Sequence, residues 1–548
     1  MSEPILNGTH ERTITAATLV NDSPVRSESP LPTTSRLPDK KNGIIEHERE
    51  DTLMTHLPSA AGADIIPPEH FGRTLVLCFD GTGDQFDADN SNIVEFFRLL
   101  KKDDHSKQMV YYQAGIGTYT TPEIATPLMA RFSKALDEAV AWNLDAHVMG
   151  GYEFLMQNYT QGDRICIFGF SRGAYTARSL AGMIHKVGIL PACNHQQVPF
   201  AYKMFTREDE KGWQQSNAFK KAFAIDADIE FIGVWDTVNS VGLIPKRLPF
   251  TTSNTIVRTF RHAVALDERR AKFKANHWNR PQAHEEKLGV ECKHQHGPGG
   301  HHAHDHEDPQ STKTLRALER KYGKDRNVQT DIDEVWFAGC HCDVGGGSVS
   351  NDTKPNLARI PLRWMIRECF KTNTGIMFHT DLVREMGMDP DALYPEVKAR
   401  PPPLPIIPDK HYIQHIPTKS ILARLTQSQK ETNLPNFSGS ESTLLRPHTE
   451  EELELADALS PVYDQLSLKW FWWILEFWPI KMRYQQSDKK WVDYYGWNLG
   501  RGRTVPGQKK RGVRVHRSVK MRMDAQYPDG SKYTPKATFD TQNVTWVD

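Results

Sequence analysis

An excess of either charge is missing from this sequence: 68 Lys and Arg stand against 68 Asp and Glu in 548 residues. Bulk attraction to nucleic acid is therefore excluded, and no nucleic-acid partner is expected. The short basic run at 509–517, broken by valines, reads as a solvated strand edge. Cysteine is sparse, at seven residues scattered from Cys78 to Cys369. An odd count at wide spacing excludes a disulfide framework and fits a reducing compartment. No apolar run reaches the roughly 18 residues a spanning helix needs. The opening stretch MSEPILNGTHERTITAATLVND lacks a basic region followed by an apolar one, so no secretory signal is expected. Together these absences predict an intracellular, cytoplasmic protein that is at most peripheral to a membrane.

With 38 % hydrophobic residues, the chain can bury a large core. Residues 1–70 are polar and proline-bearing, and read as a disordered leader. The run Arg73–Asp80 then reads as a buried strand, and further strands are expected at 109–113, 165–170, 229–235 and 335–340. Helical stretches at 92–101, 132–159, 174–187 and 356–371 separate them. Short apolar runs divided by helices rather than hairpin turns predict an α/β fold with a mainly parallel sheet covered on both faces. The catalytic core is expected over 71–397. An insertion with an acidic helix and a Trp-rich segment follows over 398–500. A C-terminal extension over 501–548 could complete the core.

In such sheets polar ligands gather where strands end. Four expected strands end in Asp80, Ser171, Asp236 and His341, each within three residues of a glycine. The most specific of these ends is ICIFGFSRGAYT at 165–176, a strand, a sharp Gly-x-Ser-x-Gly turn and a helix. Ser171 is the expected nucleophile. Chain order then points to Asp236 as the orienting acid and His341 as the base. Asp343 with His516 satisfies the same order and stays open as a competing pair. His262 is a further candidate, but it sits in a stretch that looks helical, where Arg261, Asp267, Arg269 and Arg270 could form a structural ion-pair network. The oxyanion hole would use the N–H of Arg172 and an N–H of Gly81 or Thr82. Asp80 would organise that loop.

The tract 284–309 is rich in histidine but lacks the ligand spacing of a built metal site. It reads as a surface loop, and neither a metal nor another cofactor is expected. Residues 468–483, LKWFWWILEFWPIKMR, carry tryptophans flanked by cations and broken by Glu476 and Pro479. Two readings stay open for 470–478: peripheral contact with a lipid surface, or packing against the core or a partner subunit. The oligomeric state is left open.

Five segments in order, FDGTG at 79–83, GFSRGAYTAR at 169–178, GVWDTV at 233–238, HAVALDE at 262–268 and HCDVGGG at 341–347, resemble one known family. It is an uncharacterised α/β-hydrolase family whose bacterial members include type VI secretion phospholipase effectors, and the likeness is to a eukaryotic, fungal-type member. The resemblance implies an α/β-hydrolase-like fold. It implies Ser171 as nucleophile with Asp236 and His341 as partners, and cleavage of acyl esters of glycerophospholipids. Cys342 stands where the family usually has serine. The expected activity is a serine-dependent ester hydrolase acting on a lipid or small acyl ester. The alternatives are a soluble carboxylesterase or thioesterase, and a non-catalytic scaffold that keeps the fold.

Overall fold

The run TLVLCF forms β1, Thr74–Phe79, buried along its whole length. Leu75, Leu77 and Phe79 enter one core, while Val76 and Cys78 enter another. That alternation is what a strand covered on both faces requires. The computed structural model describes residues 63–70, 72–82, 84–115, 129–238, 248–278, 318–319, 329–416, 449–477, 479–485, 491–506 and 512–548. Seven more strands join β1 in a single sheet: β2 (Gln108–Gln113), β3 (Arg164–Phe170), β4 (Ile229–Trp235), β5 (Val257–Ala265), β6 (Asp331–Phe337), β7 (Val513–His516) and β8 (Val544–Val547). Every pairing is parallel, in the order β8-β7-β6-β5-β4-β3-β1-β2.

The fold is thus α/β, with a parallel sheet between helical layers. Five helices bear on the site: α1 (Asn92–Leu99), α2 (Met129–Asn158), α3 (Ser171–Val187), α4 (His341–Gly345) and α5 (Arg359–Lys371). α1 and α5 pack on one face, through residues such as Phe96 and Trp364. α2 and α3 pack on the other, through Val148 and Leu180. Strand order reverses at β1, which has β2 on one side and β3 on the other. A crevice opens at such a switch point, beyond the carboxyl ends of the strands.

Several expectations are corrected. The leader does not extend to residue 70, because Ile65–Ile66 pair antiparallel with Phe378–His379 and Ile66 is fully buried. The stretch around His262 is not helical but forms β5, in the middle of the sheet. Its polar side chains are satisfied from neighbouring elements. Arg261 binds Glu368 on α5 and Asp331 on β6, and His262 binds Glu334 on β6. Nor do Arg261, Asp267, Arg269 and Arg270 form one network. Arg269 pairs with Asp464 and Arg270 with Glu268.

Residues 501–548 supply β7 and β8 at one edge of the sheet. From the 398–500 stretch, helix α6 (Glu450–Ala458) docks on the core through Asp457, which accepts from Arg363 at 2.7 Å. The His-rich tract lies outside the described residues.

Candidate active site

β3 runs straight into α3, and Ser171 occupies the turn with φ of +58°. A non-glycine residue there is strained, and such strain is characteristic of an elbow that lifts its side chain off the sheet. The two flanking glycines are steric requirements. A Cβ on Gly169 would lie 2.6 Å from Ala174 Cα, and one on Gly173 would lie 2.3 Å from the Asp80 carbonyl oxygen.

The end of β4 brings Asp236 alongside, also at positive φ, and α4 begins with His341 just past β6. The carboxylate of Asp236 can only accept, so His341 Nδ1 donates to its Oδ2 at 2.6 Å. That fixes the neutral tautomer, and Nε2 accepts from Ser171 Oγ at 2.8 Å. The imidazole meets the ring of Phe170 at 4.7 Å and, edge-on, that of Phe273 at 4.9 Å. All three polar residues are nearly inaccessible. Burial pushes the Asp236 carboxyl up, but Arg503 and His341 outweigh it and hold it well below the usual carboxylate range. Burial pushes His341 down, against the opposing pull of Asp236, so the ring stays neutral below its ordinary titration range.

The competing pair is not assembled. Asp343 caps its own helix, accepting from Cys340 N and Tyr463 N, with burial pushing it up to about 6. His516 sits on β7 beside Ser518 and Glu454. His262 accepts the N–H of Thr237 and bonds Glu334, so it braces the loop behind Asp236. His262, His277 and Glu334 converge closely, yet both ring nitrogens of His262 are occupied by these bonds, which argues against a metal site.

The loop after β1, expected to supply an oxyanion-hole N–H from Gly81 or Thr82, departs from that expectation at Gly81. Gly81 donates its N–H to Asp80 Oδ1 at 2.8 Å and so does not offer it to a substrate. Asp80 is a buried hub that also accepts from Ser91 Oγ and Tyr112 OH. The next residue, Thr82, has a buried hydroxyl with no hydrogen-bond partner among the described residues. Arg172 is the second residue of α3, directly after Ser171.

The sequence reading missed three contributors. Asp267 accepts from Gly339 N and Tyr533 OH, which fixes the approach to His341. Glu268 accepts the N–H of His341 itself at 3.3 Å and is paired with Arg270. Arg503 reaches Asp236 from 267 residues downstream. The first two lie in the HAVALDE segment, where the sequence points to a structural ion pair for Asp267 and to no role for Glu268. No local pattern marks Arg503.

Between residues 470 and 499 the structure divides the aromatics. Helix α7, Trp472–Glu476, turns Glu476 inward, where it accepts from Ala271 N, Asn498 Nδ2 and Gly500 N. Trp472 meets Phe273 edge-on at 5.6 Å, and Phe273 in turn meets His341. Trp470, Ile474 and Phe477 face out, as do Tyr495, Trp497 and Leu499. Trp478 lies outside the described residues. Among the described residues no helix is long and apolar enough to cross a membrane.

The family described as "T6SS, Phospholipase effector Tle1-like, catalytic domain" matches residues 73–368, just over half of the chain. An uncharacterized protein of Saccharomyces cerevisiae, YEL023C, is 29% identical over 573 aligned positions, covering 85% of this chain and 82% of that one. An uncharacterized protein from Pseudomonas aeruginosa, solved by crystallography, is 17% identical with a TM-score of 0.29. The Tle1 effector bound to the VgrG spike from the type 6 secretion system is 17% identical with a TM-score of 0.25. The chain covers 60% and 50% of itself in these two likenesses, and spans about half the length of each solved chain, 49% and 51%.

Proposed function

The chain belongs to the Tle1-like phospholipase effector catalytic-domain family, and from that premise we propose that it is a serine hydrolase that cleaves acyl esters of glycerophospholipids. One observation carries the reading: the hydrogen-bonded chain Ser171–His341–Asp236. Ser171 Oγ attacks the ester carbonyl as its proton passes to His341 Nε2. The negative charge that develops on the carbonyl oxygen is met by the N–H of Arg172 and by Thr82. His341 then hands its proton to the departing lysolipid oxygen, which leaves the acyl group on Ser171. A water molecule, deprotonated by the same ring, releases the fatty acid and restores the serine.

The substrate class is supported by the surface beside the site. Among the described residues, thirteen large apolar side chains are strongly exposed, and seven of them fall between Trp470 and Leu499. The loop carrying Trp497 and Leu499 is bound to α7 through Leu499 N and Glu476 O. This apolar face adjoins the edge-to-face series Trp472–Phe273–His341, so a lipid surface resting on it lies near the nucleophile.

Two measurements test the reading. Purified protein should hydrolyse phospholipid vesicles faster than short p-nitrophenyl esters, and Ser171→Ala should abolish both activities. Turnover of the short ester alone would make it a soluble esterase. The double variant Trp470→Ser with Phe477→Ser should lower vesicle flotation and vesicle turnover about tenfold or more, given ~1.5–3 kcal/mol per buried aromatic. Short-ester hydrolysis should be unchanged, because neither side chain packs on the site. Equal loss toward both substrates would remove the lipid-facing role.

A further inference from the structure

The C-terminal stretch, outside the matched family region, sends one side chain into the site. Arg503 is almost fully buried and grips Asp236 with both arms of its guanidinium, Nη1 to Oδ1 at 2.5 Å and Nη2 to Oδ2 at 2.9 Å. The same two nitrogens donate to the carbonyls of Ala265, at 2.9 Å, and Phe273, at 2.6 Å. Its backbone is fixed as well. Thr538 N donates to Arg503 O, while Ala537 N donates to Leu266 O beside β5. A Cβ on Gly502 would lie 1.9 Å from the Lys536 carbonyl oxygen, so the two C-terminal strands of chain are in close contact.

Asp236 therefore accepts four hydrogen bonds. Oδ1 receives Ala265 N and Arg503, and Oδ2 receives His341 and Arg503. An isolated carboxylate facing imidazole raises the affinity of the ring for a proton. A guanidinium bound to that carboxylate offsets part of the effect. The other charged groups around His341 are Glu268, which accepts its N–H, and Arg270, which is paired with Glu268. Around Arg503 stand Lys274 and Glu268, and Glu476 lies near Lys274. None of these touches Asp236.

We propose that Arg503 is a positioning residue of the active site: it locks the Asp236 carboxylate in the orientation that His341 uses and sets the pH at which His341 becomes a base. This rests on the serine-hydrolase reading above. The working pH of the catalytic core is thereby set by a segment outside the matched catalytic region. With Arg503 present, His341 stays neutral to lower pH, and the acid limb of kcat/KM lies correspondingly low. Without it, the uncompensated carboxylate favours imidazolium, and that limb moves up.

The test compares Arg503→Gln and Arg503→Lys in the full chain. Arg503→Gln should lower kcat about a hundredfold at little change in KM, and raise the acid limb by about one pH unit. Arg503→Lys keeps the charge but loses the fork, so it should lower kcat while its acid limb stays near wild type. NMR of labelled histidines, with His341 assigned through His341→Gln, should show the same upward shift in Arg503→Gln independently of turnover. If Arg503→Gln does not fold, Arg503→Lys decides alone, and wild-type kcat in that variant overturns the proposal. Folded variants with an unmoved acid limb and an unmoved His341 titration also overturn it, with the hydrolase reading intact. A His341 shift in a protein that cleaves no ester supports the clamp and sinks the hydrolase reading instead.

Discussion

Ser171→Ala should abolish covalent labelling by a fluorophosphonate and lower ester hydrolysis by about five to six orders of magnitude. The reagent forms a bond only to an activated oxygen, so intact mass should show one adduct on wild type and none on the variant. The scaffold should be undisturbed. Ser171 is buried at the start of α3, its Oγ bonds His341 Nε2, and alanine at φ of +58° is no more strained than serine. Equal melting temperatures for the two proteins would confine the loss to chemistry. An adduct that persists on Ser171→Ala would place the reactive group elsewhere and end the serine mechanism.

The parts of this site that were legible in the sequence are those in which one short segment carries both the side chain and its local structural reason. GFSRG encodes strand, strained turn and helix within a few residues, and its glycines are set by backbone contacts at 2.3–2.6 Å. Asp236 and His341 could be read because buried parallel strands end in short polar motifs. Reasoning from local pattern failed where a residue takes its meaning from a distant partner. Arg261 and His262 interrupt the apolar run of β5, yet Glu368 and Asp331 on adjacent elements pair with the arginine and Glu334 accepts from the neutral imidazole. Glu476 looked like an interruption in an aromatic stretch but is the buried anchor of α7. Gly81 lies in a glycine-bearing loop suited to an oxyanion hole, yet Asp80 holds its N–H. Arg503 gave no signal, since one arginine in a glycine-bearing loop is indistinguishable from a surface residue until the fold brings it to Asp236.

The second large effect is expected from Asp236→Asn, and Arg503 decides its direction. The two carboxylate oxygens are not equivalent. At the Oδ1 position an acceptor meets two donors, Ala265 N and Arg503 Nη1. At the Oδ2 position it meets Arg503 Nη2 and the imidazole, and only the imidazole can change its role. The amide oxygen of asparagine therefore takes the Oδ1 position and turns its NH₂ toward His341. His341 Nδ1 must then accept rather than donate. Its proton moves to Nε2, which now faces Ser171 as a donor and can no longer take the hydroxyl proton. Loss of the correct tautomer should lower kcat about ten-thousandfold, with KM nearly unchanged because Asp236 is fully buried. His516→Gln, far from Ser171 and bonded to Ser518, should keep near wild-type kcat in the same assay. If Asp236→Asn kept a tenth of wild-type activity while His516→Gln lost it, the catalytic acid and base would have to be sought at Asp343 and His516, and the Arg503 fork would be structural only.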